Sequence, residues 1–407
     1  MRIERLRKEI TDGRCRVAAD VTWENRDAPA EALVIETTEE FEPDIEPSAD
    51  AFLLALLPAA QWDGEKRILI EGRICSRLRD GSAVAMELFN LAFDRCRPLS
   101  IEPTEGFAPT IARREPRTAS FLSGGVDALS LLRSNRLDYP SDHPGFIRDC
   151  IALFGMNTYD LDASGVPRPE RVAASDENTR RMTALAESVG ATVIPMRTNI
   201  RRFNSDFQSW AFVGFGTGTV SAAMCLANRI SRVEIASAGL GVSHHLEGSH
   251  PCLDHNFSTE AVAVHHGQAG VTRFEKTRIV AGWPEGLSVV RPCCYRTIPR
   301  TTINCGKCEK CIRTMLALVA LGKLGESAAF PFDDVTPATL EPLLIERDND
   351  VMYYEQCLEP LIAAGRTDLV ESVQEKIDEY HKRERRKAAM RLVKKAIPVS
   401  AWRTSSP

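Results

Sequence analysis

The chain contains no long apolar segment and no excess of charge of one sign. Nowhere do 18 apolar residues run together, and the first residues, MRIERLRKEITDG, lack the apolar stretch of a secretory signal. This pattern predicts a cytoplasmic protein without a membrane span. Charged residues make up 26 % of the 407 residues and the net charge is −5, which excludes a chain that binds polyanions over its whole surface. We expect any site for phosphate or nucleic acid to be local.

Internal repeats and low-complexity tracts are also missing. Twelve cysteines are present, but in a long chain of this setting they are not typical of a disulfide framework. Five of them lie between positions 293 and 311, and four of these can supply the ligands of a metal site.

The alternation of strand-like and helix-like segments divides the chain into parts. Residues 1–112 predict an N-terminal α+β domain, with a proline-bearing boundary at 102–117. Residues 118–290 alternate strands with helices, which predicts an α/β domain: a doubly wound parallel sheet whose ligands bind beyond the carboxyl ends of the strands. Residues 291–325 form a cysteine knuckle and a helix, and residues 326–407 form a helical extension with a basic tail.

The segment FLSGGVDALS joins a strand to a helix at the start of the α/β domain. Gly124 and Gly125 lack Cβ atoms, so a phosphate can approach backbone N–H groups there, and the following helix directs its positive end to the same point. Ser123 offers a hydroxyl, and Asp127 in the first helical turn can cap backbone donors or hold Mg²⁺. The segment predicts an anion-binding loop; a plain strand-to-helix turn is the alternative.

This loop resembles the pyrophosphate-binding loop, Ser-Gly-Gly-x-Asp-Ser, of the N-type ATP pyrophosphatases (the PP-loop superfamily), with matching positions at Ser123, Gly124, Gly125, Val126 and Asp127. The resemblance implies a HUP-like fold of the adenine nucleotide alpha hydrolase type, with ATP and Mg²⁺ as cofactors. These enzymes cleave ATP between its α and β phosphates to adenylate a substrate, which a nucleophile then attacks. Ala128 stands where the family usually has a second serine, and the missing hydroxyl contact predicts ATP binding weakened about 10- to 100-fold.

A cysteine cluster follows in PCCYRTIPRTTINCGKCEKC. The spacing Cys305-x-x-Cys308-x-x-Cys311 places thiolates around one cation, and Cys294, or alternatively Cys293, completes a tetrahedral set. Four thiolates leave no open coordination position, so we predict a structural Zn²⁺ site, with an iron–sulfur cluster as the competing interpretation.

The order of the two motifs is similar to 7-cyano-7-deazaguanine synthase over about residues 118–322: a Ser-Gly-Gly-x-Asp loop, then Cys-Tyr and Cys-Gly-x-Cys-x-x-Cys. That branch of the superfamily converts a carboxylate into a nitrile by adenylation and reaction with ammonia. The first cysteine is spaced more widely here, and HHLEGSHPCLDHNFS stands where the synthase has Tyr-Pro-Asp-Cys-Arg. We therefore expect a relative of the synthase: an ATP-dependent adenylating enzyme that activates a carboxylate or amide-type oxygen for attack by ammonia or an amine.

Six of the eight histidines lie between positions 244 and 266, where a substrate would enter. They are His244, His245, His250, His255, His265 and His266. We expect GSHPCLDH, with His250 and Asp254, to supply an acid or base, to bind a substrate carboxylate or phosphate, or to hold a second metal. A polar loop whose histidines cap backbone groups is the alternative.

Basic side chains after the third strand and in TRFEKT are candidates for contact with phosphate. Arg273 and Lys276 lie one helical turn apart, and the stretch resembles the Thr-Lys-x-Glu of the synthase family, which implies that Lys276 lies near the nucleotide. Arg197, Arg201 and Arg202 are candidates for stabilising the departing pyrophosphate. Solvated surface charges are the alternative for all of them.

Two other functions stay open. A sulfur-transfer enzyme of the same superfamily, acting on tRNA or a nucleoside, needs a reactive thiol such as Cys252 or Cys150. A nucleotide-binding protein of impaired catalysis, acting in an assembly, would fit Ala128. Residues 381–403 hold nine Lys or Arg against one acid, so this tail can bind nucleic acid or simply be solvated. A homodimer is also left open.

Overall fold

The computed structural model describes residues 1–109, 115–157, 160–162, 166–204, 206–238, 246–293 and 303–396, with side chains as far as residue 390. It consists of two compact units, Met1–Arg291 and Pro292–Pro407.

Ten strands occur in the described residues, all of them in the first unit. They are β1 (Arg2–Thr11), β2 (Arg14–Thr22), β3 (Glu31–Thr38), β4 (Arg67–Ile70), β5 (Ser100–Pro103), β6 (Thr118–Phe121), β7 (Ile147–Phe154), β8 (Thr192–Thr198), β9 (Arg232–Ala236) and β10 (Ala263–Gly267). One sheet joins them in the order β10-β9-β6-β7-β8-β3-β2-β1-β4-β5.

The strands β8, β7, β6, β9 and β10 run parallel to their neighbours in this part of the sheet, which confirms the prediction of an α/β class. From β6 the chain proceeds through β7 to β8 on one side and then returns to place β9 on the other side of β6. The strand order therefore reverses between β6 and β9. In an open α/β sheet, ligands bind in the crevice beyond the carboxyl ends of the strands at such a reversal.

The N-terminal strands extend the same sheet. Residues Ile35, Glu36 and Thr37 of β3 pair antiparallel with residues of β8, so the boundary expected at 102–117 separates strands of one sheet and lies within the first unit. Pairing between strands far apart in sequence depends on non-local contacts, which local composition does not report.

The first unit contains nine α-helices in its described residues, and the second contains four. Those of the first are α1 (Ala49–Trp62), α2 (Ser76–Ala92), α3 (Val126–Asp138), α4 (Pro169–Ser188), α5 (Phe207–Ser209), α6 (Phe215–Met224), α7 (Pro251–Asp254), α8 (Arg273–Ala281) and α9 (Pro284–Val289). Those of the second are α10 (Glu309–Ala320), α11 (Pro337–Leu340), α12 (Asp348–Ala363) and α13 (Thr367–Ala396).

Helix α1 lies in the core of the first unit. Its apolar side chains surround the helix instead of forming a stripe, and Phe52, Leu54 and Leu57 are fully buried. Such a composition is typical of a helix buried on all sides. Within the described part of the chain, no helix combines the length and the apolar character needed to span a bilayer.

Candidate functional site

The loop after β6 has a backbone conformation that favours glycine. Gly124 has a φ of +80°, and a Cβ atom there would lie 3.3 Å from Sδ of Met182. The N–H of Gly125 donates to Oγ of Ser123 at 3.2 Å, and Nδ2 of Asn178 donates to the carbonyl oxygen of Ser123 at 3.1 Å. These contacts fix the path of the chain between β6 and α3.

The start of α3 faces this loop with its backbone donors uncapped. The N–H of Arg291 donates to the carbonyl oxygen of Gly124 at 2.7 Å and so holds the loop from a second side. Gly125 is the N-cap of α3 and supplies no side-chain acceptor to the first N–H groups of the helix. Because the positive end of the helix dipole lies at the same place, the loop has the geometry of an anion-binding site.

Asp127, in the first turn of α3, forms ion pairs with two cations of α8. Nη1 of Arg273 lies 2.8 Å from its Oδ2, and Nζ of Lys276 lies 3.5 Å from its Oδ1. The same cations donate to carbonyl oxygens that follow β9, Arg273 to Ala238 at 2.8 Å and Lys276 to Ser237 at 2.5 Å. Two cations against one carboxylate give this point of the crevice a net positive charge, which complements phosphate.

Lys276 is fully buried, with none of its surface exposed. Desolvation lowers the pKa of Lys276 below its usual value, and the negative charge of Asp127 opposes that shift. A buried ammonium group needs close acceptors to offset the loss of water. A phosphate oxygen beside Lys276 would add such an acceptor.

The three arginines at the end of β8 and just after it are less suited to contact phosphate. Arg197 forms an ion pair with Asp176 at 2.7 Å, and Arg202 forms one with Glu31 at 3.0 Å. Arg201 is buried, with its guanidinium carbon 4.7 Å from the ring centre of Trp210. These contacts involve neither the glycine loop nor Asp127.

Asp254 connects the histidine segment to β10. Its carboxylate is fully buried and accepts hydrogen bonds from Oγ of Ser249 at 2.8 Å, from the backbone N–H of His250 at 3.2 Å and from Nδ1 of His266 at 2.7 Å. His250 is the N-cap of α7, and its Nδ1 accepts the N–H of Cys252 at 3.1 Å. The structure thus brings the predicted His250 and Asp254 together and adds His266 as a direct partner of Asp254.

The other described histidines of the segment lie in different surroundings. Nδ1 of His255 is 3.1 Å from the carbonyl oxygen of Pro251, and Nδ1 of His265 is 2.6 Å from Oε2 of Glu234. His265 and His266 are consecutive in β10, and successive side chains of a strand point to opposite faces of the sheet. His244 and His245 lie outside the described residues.

A π-helical turn holds the histidine segment in place. The turn comprises Trp210–Gly214, between α5 and α6. The N–H of Gly216 donates to the carbonyl oxygen of Gly248 at 2.8 Å, and the N–H of Gly248 donates to that of Ala211 at 3.0 Å. A Cβ atom on Gly216 would lie 2.1 Å from the Gly248 oxygen, so only glycine allows this approach. Single π turns inside helices are rare, and those that occur are often found at functional sites.

The two cysteines considered for sulfur transfer differ in exposure. Cys150 is buried in β7, and burial raises its pKa to about 12, which keeps the thiol protonated and unreactive. Cys252 is exposed in α7.

Four cysteines converge in the second unit. The Sγ atoms of Cys293, Cys305, Cys308 and Cys311 all lie within 4.8 Å of one another. Adjacent Sγ pairs are separated by 3.4 to 3.8 Å, close to the separation of about 3.8 Å for four sulfurs that each lie about 2.3 Å from a tetrahedral zinc ion. The group can therefore hold a metal ion such as zinc.

The fourth thiol of this group is Cys293, the alternative to Cys294 in the prediction from the sequence. Cys294 itself lies outside the described residues. The N–H of Cys293 donates to Oδ1 of Asn304 at 3.3 Å, and the N–H of Cys308 donates to Sγ of Cys305 at 3.4 Å. A multi-iron cluster places several metal atoms between its thiolates and separates them further. The close sulfur packing favours a single ion.

The basic tail begins within α13, which extends to Ala396. The guanidinium of Arg383 donates to the carbonyl oxygen of Ile345, and Lys387 forms an ion pair with Glu384 at 2.7 Å. Residues 397–407 lie outside the described part of the chain.

Three contacts of the candidate site are additional to the sequence prediction. The prediction did not include Asn178 and the backbone of Arg291, which hold the glycine loop, and it did not assign His266 to Asp254. The first two join segments distant in sequence, whereas Asp254 and His266 are twelve positions apart. Only the pair of consecutive histidines, His265 and His266, in a short strand offered a signal in the sequence. Comparisons of the chain with protein-family models, with curated proteins and with solved structures found no match.

Proposed function

We propose that this protein is an ATP-dependent adenylating enzyme with a HUP-like, PP-loop type fold, which converts ATP to AMP and pyrophosphate while activating a carboxylate or amide-type oxygen. One observation carries the proposal. The uncapped glycine loop before α3 lies at the reversal of strand order, and the paired cations Arg273 and Lys276 meet Asp127 at the same point.

The residues of the loop have distinct roles in this proposal. The N–H groups around Gly124 and Gly125 bind the β and γ phosphates, and Ser123 adds its hydroxyl. Arg273 and Lys276 neutralise the charge that accumulates on pyrophosphate as it leaves. Asp127 is the carboxylate placed to hold Mg²⁺, which in proteins commonly takes one or two carboxylates together with substrate phosphates and here would neutralise the triphosphate.

The second half-reaction is attack on the activated acyl group by ammonia or an amine, as the resemblance to the synthase family implies. The crevice beyond β9 and β10 is the place for the acyl substrate, because it adjoins the loop after β6 in the sheet. Zinc at the four cysteines has a structural role, since four thiolates leave no coordination position for substrate.

Exchange of labelled pyrophosphate into ATP tests the proposal, because it requires reversible adenylation and no nucleophile. The assay uses full-length protein with MgATP and a panel of aromatic acids: 7-carboxy-7-deazaguanine, benzoate and nicotinate. We expect exchange that depends on one of these acids and is lost in Asp127→Ala. Release of ADP, or the absence of acid-dependent exchange, would contradict the proposal.

Sulfur transfer to tRNA or a nucleoside is the second candidate, and the exposure of Cys252 beside His250 is the observation in its favour. Substitution Cys252→Ser separates the two functions. Adenylation with sulfur transfer requires this thiol, whereas amide or nitrile formation does not. Nucleic-acid binding through the basic tail belongs to this candidate, and a tRNA gel shift with and without residues 381–407 measures it.

A further inference from the structure

Asp254 and His266 form a buried carboxylate–imidazole pair that has no part in the nucleotide site proposed at the glycine loop. The side chain of Asp254 has no exposed surface and that of His266 is 7 % exposed. Their 2.7 Å contact fixes the ring of His266, and Ser249 with the backbone of His250 satisfies the remaining acceptor capacity of the carboxylate. Hydrogen bonds to the carboxylate of Asp254 therefore hold both side chains of the pair in place.

The outer ring nitrogens of both histidines lack partners. Nε2 of His250 and Nε2 of His266 are buried, and neither has a hydrogen-bond partner among the described residues. An unsatisfied buried polar atom is unfavourable because it has lost its water partners, and native structures retain few of them. Two such atoms, on histidines that both contact Asp254, indicate that a ligand supplies the missing partners.

The contact of Nδ1 in each histidine determines which of its two ring nitrogens carries the proton. His266 places Nδ1 against a carboxylate, so in its neutral form Nδ1 bears the proton and Nε2 presents a lone pair. His250 accepts a backbone N–H on Nδ1, so in its neutral form Nε2 bears the proton. Desolvation lowers the pKa of His250, which favours the neutral form of that ring. In the neutral forms, Nε2 of His266 is thus an acceptor and Nε2 of His250 a donor.

The pair lies at the edge of the sheet that carries the glycine loop. His266 is the last residue but one of β10, and the carbonyl oxygen of Gly267 accepts the N–H of Ser237 at 3.0 Å. The carbonyl oxygen of Ser237 in turn accepts Nζ of Lys276. A single residue, Ser237, therefore connects the end of β10 to the cation that meets Asp127.

On the basis of the proposed adenylation, on which this inference rests, we infer that His266 is the general base of the second half-reaction, with His250 as a hydrogen-bond donor to the acyl oxygen. The lone pair of ammonia or a primary amine forms the new C–N bond to the acyl carbon. The C–O bond to AMP breaks and AMP leaves with that electron pair. The surplus proton on nitrogen passes to Nε2 of His266, and Asp254 is a positioning residue that stabilises the imidazolium formed.

Other roles for the histidines fit the structure less well. A metal site requires a third ligand, and the described residues outside the four cysteines contain no group of three ligand atoms at metal-binding separation. A purely structural histidine normally has both ring nitrogens satisfied when buried. The opposite tautomers of the two rings suit a reaction in which one atom loses a proton and another gains negative charge.

The test measures both half-reactions in each variant, with full-length protein, MgATP, the panel acid that gives the fastest pyrophosphate exchange, and ammonium chloride. In His266→Ala we expect the ratio of amide formation to exchange to fall by about 100-fold or more, the typical contribution of a general base, and added imidazole to restore part of it. His265→Ala, the adjacent residue on the opposite face of β10, is the matched control and should keep the wild-type ratio. If His266→Ala folds poorly, His266→Gln is tested in its place, because glutamine retains a hydrogen-bond donor to Asp254.

The outcomes separate this inference from the proposed function. An unchanged ratio in His266→Ala or His266→Gln overturns the inference alone. A lowered ratio that imidazole does not restore, and that His265→Ala shares, also overturns it, because a structural effect then explains the loss. The absence of exchange in the wild-type protein overturns the proposed function and this inference with it.

Discussion

Nζ of Lys276 lies 3.5 Å from Oδ1 of Asp127, although Lys276 is fully buried and Asp127 belongs to the first turn of a different helix. A buried ammonium group is unfavourable unless acceptors surround it. The contact therefore places a desolvated cation beside the loop that we propose to bind phosphate, and it links α8 to the helix that follows that loop.

We expect Lys276→Met to leave the fold intact and to weaken binding of MgATP about tenfold or more. Methionine matches the buried stem of lysine, and Asp127 keeps its ion pair with Arg273 at 2.8 Å, so no charge is left unpaired. A lost charge-assisted contact to phosphate, by contrast, costs about 1.5–3 kcal/mol. Titration calorimetry and thermal unfolding measure the two effects. Arg278→Met, an exposed cation on the same helix, is the control; equal loss in both variants would contradict a specific role for Lys276.

Gly216→Ala should destabilise the first unit by about 1–3 kcal/mol, because its Cβ would lie 2.1 Å from the carbonyl oxygen of Gly248. Alanine otherwise favours helices over glycine, so the sign of the effect is diagnostic. Gly270→Ala is the control, since a Cβ there meets no atom within 4 Å. Chemical unfolding of both variants checks the prediction, and a stabilised Gly216→Ala would refute the close approach.

Zinc content distinguishes the two candidate fourth ligands. We expect wild-type protein to hold one zinc ion per chain, Cys293→Ser to lose most of it after dialysis against a chelator, and Cys294→Ser to retain it. The reason is that Cys293 is the thiol that shares the 4.8 Å group with the other three. Elemental analysis by mass spectrometry gives the result directly. Retention in Cys293→Ser together with loss in Cys294→Ser would reverse the assignment.

Asp50 makes the stability of the first unit depend on pH. Desolvation raises its pKa from 3.8 to about 6, so the folded state binds a proton that the unfolded state releases, and stability falls as pH rises from about 4 to about 6. Oδ1 of Asp50 accepts the N–H of Cys75 at 2.8 Å. An asparagine at this position keeps that acceptor oxygen but carries no charge. Asp50→Asn should therefore unfold at higher urea than wild type at pH 7 and at similar urea near pH 4. The same difference at both pH values would contradict the cause given.

The sequence predicted the parts of the site that depend on local pattern. The glycine loop, its place before a helix and the triple-cysteine spacing are each contained within a short segment, because backbone conformation and metal-ligand spacing are local properties. Their chemistry follows from residue type.

Contacts between distant segments could not be predicted in this way. The pairing of β3 with β8 joins the N-terminal strands to the parallel sheet, and the contact of Asp254 with His266 needs α7 to lie against β10. The π turn that docks Gly248 on Gly216 depends on packing, while the run of alternating glycines at 214, 216 and 218 is its one visible signal.

Binding of ATP in the presence of Mg²⁺, measured by titration calorimetry on zinc-loaded protein, tests the central claim most directly. The account predicts that wild type binds, that Asp127→Ala loses binding while Asp138→Ala, an exposed acid at the end of the same helix, retains it, and that Ala128→Ser binds about tenfold more tightly by regaining a hydroxyl contact. A wild-type protein and an Ala128→Ser variant that both fail to bind ATP would contradict it, because the loop, Arg273 and Lys276 would then hold no nucleotide.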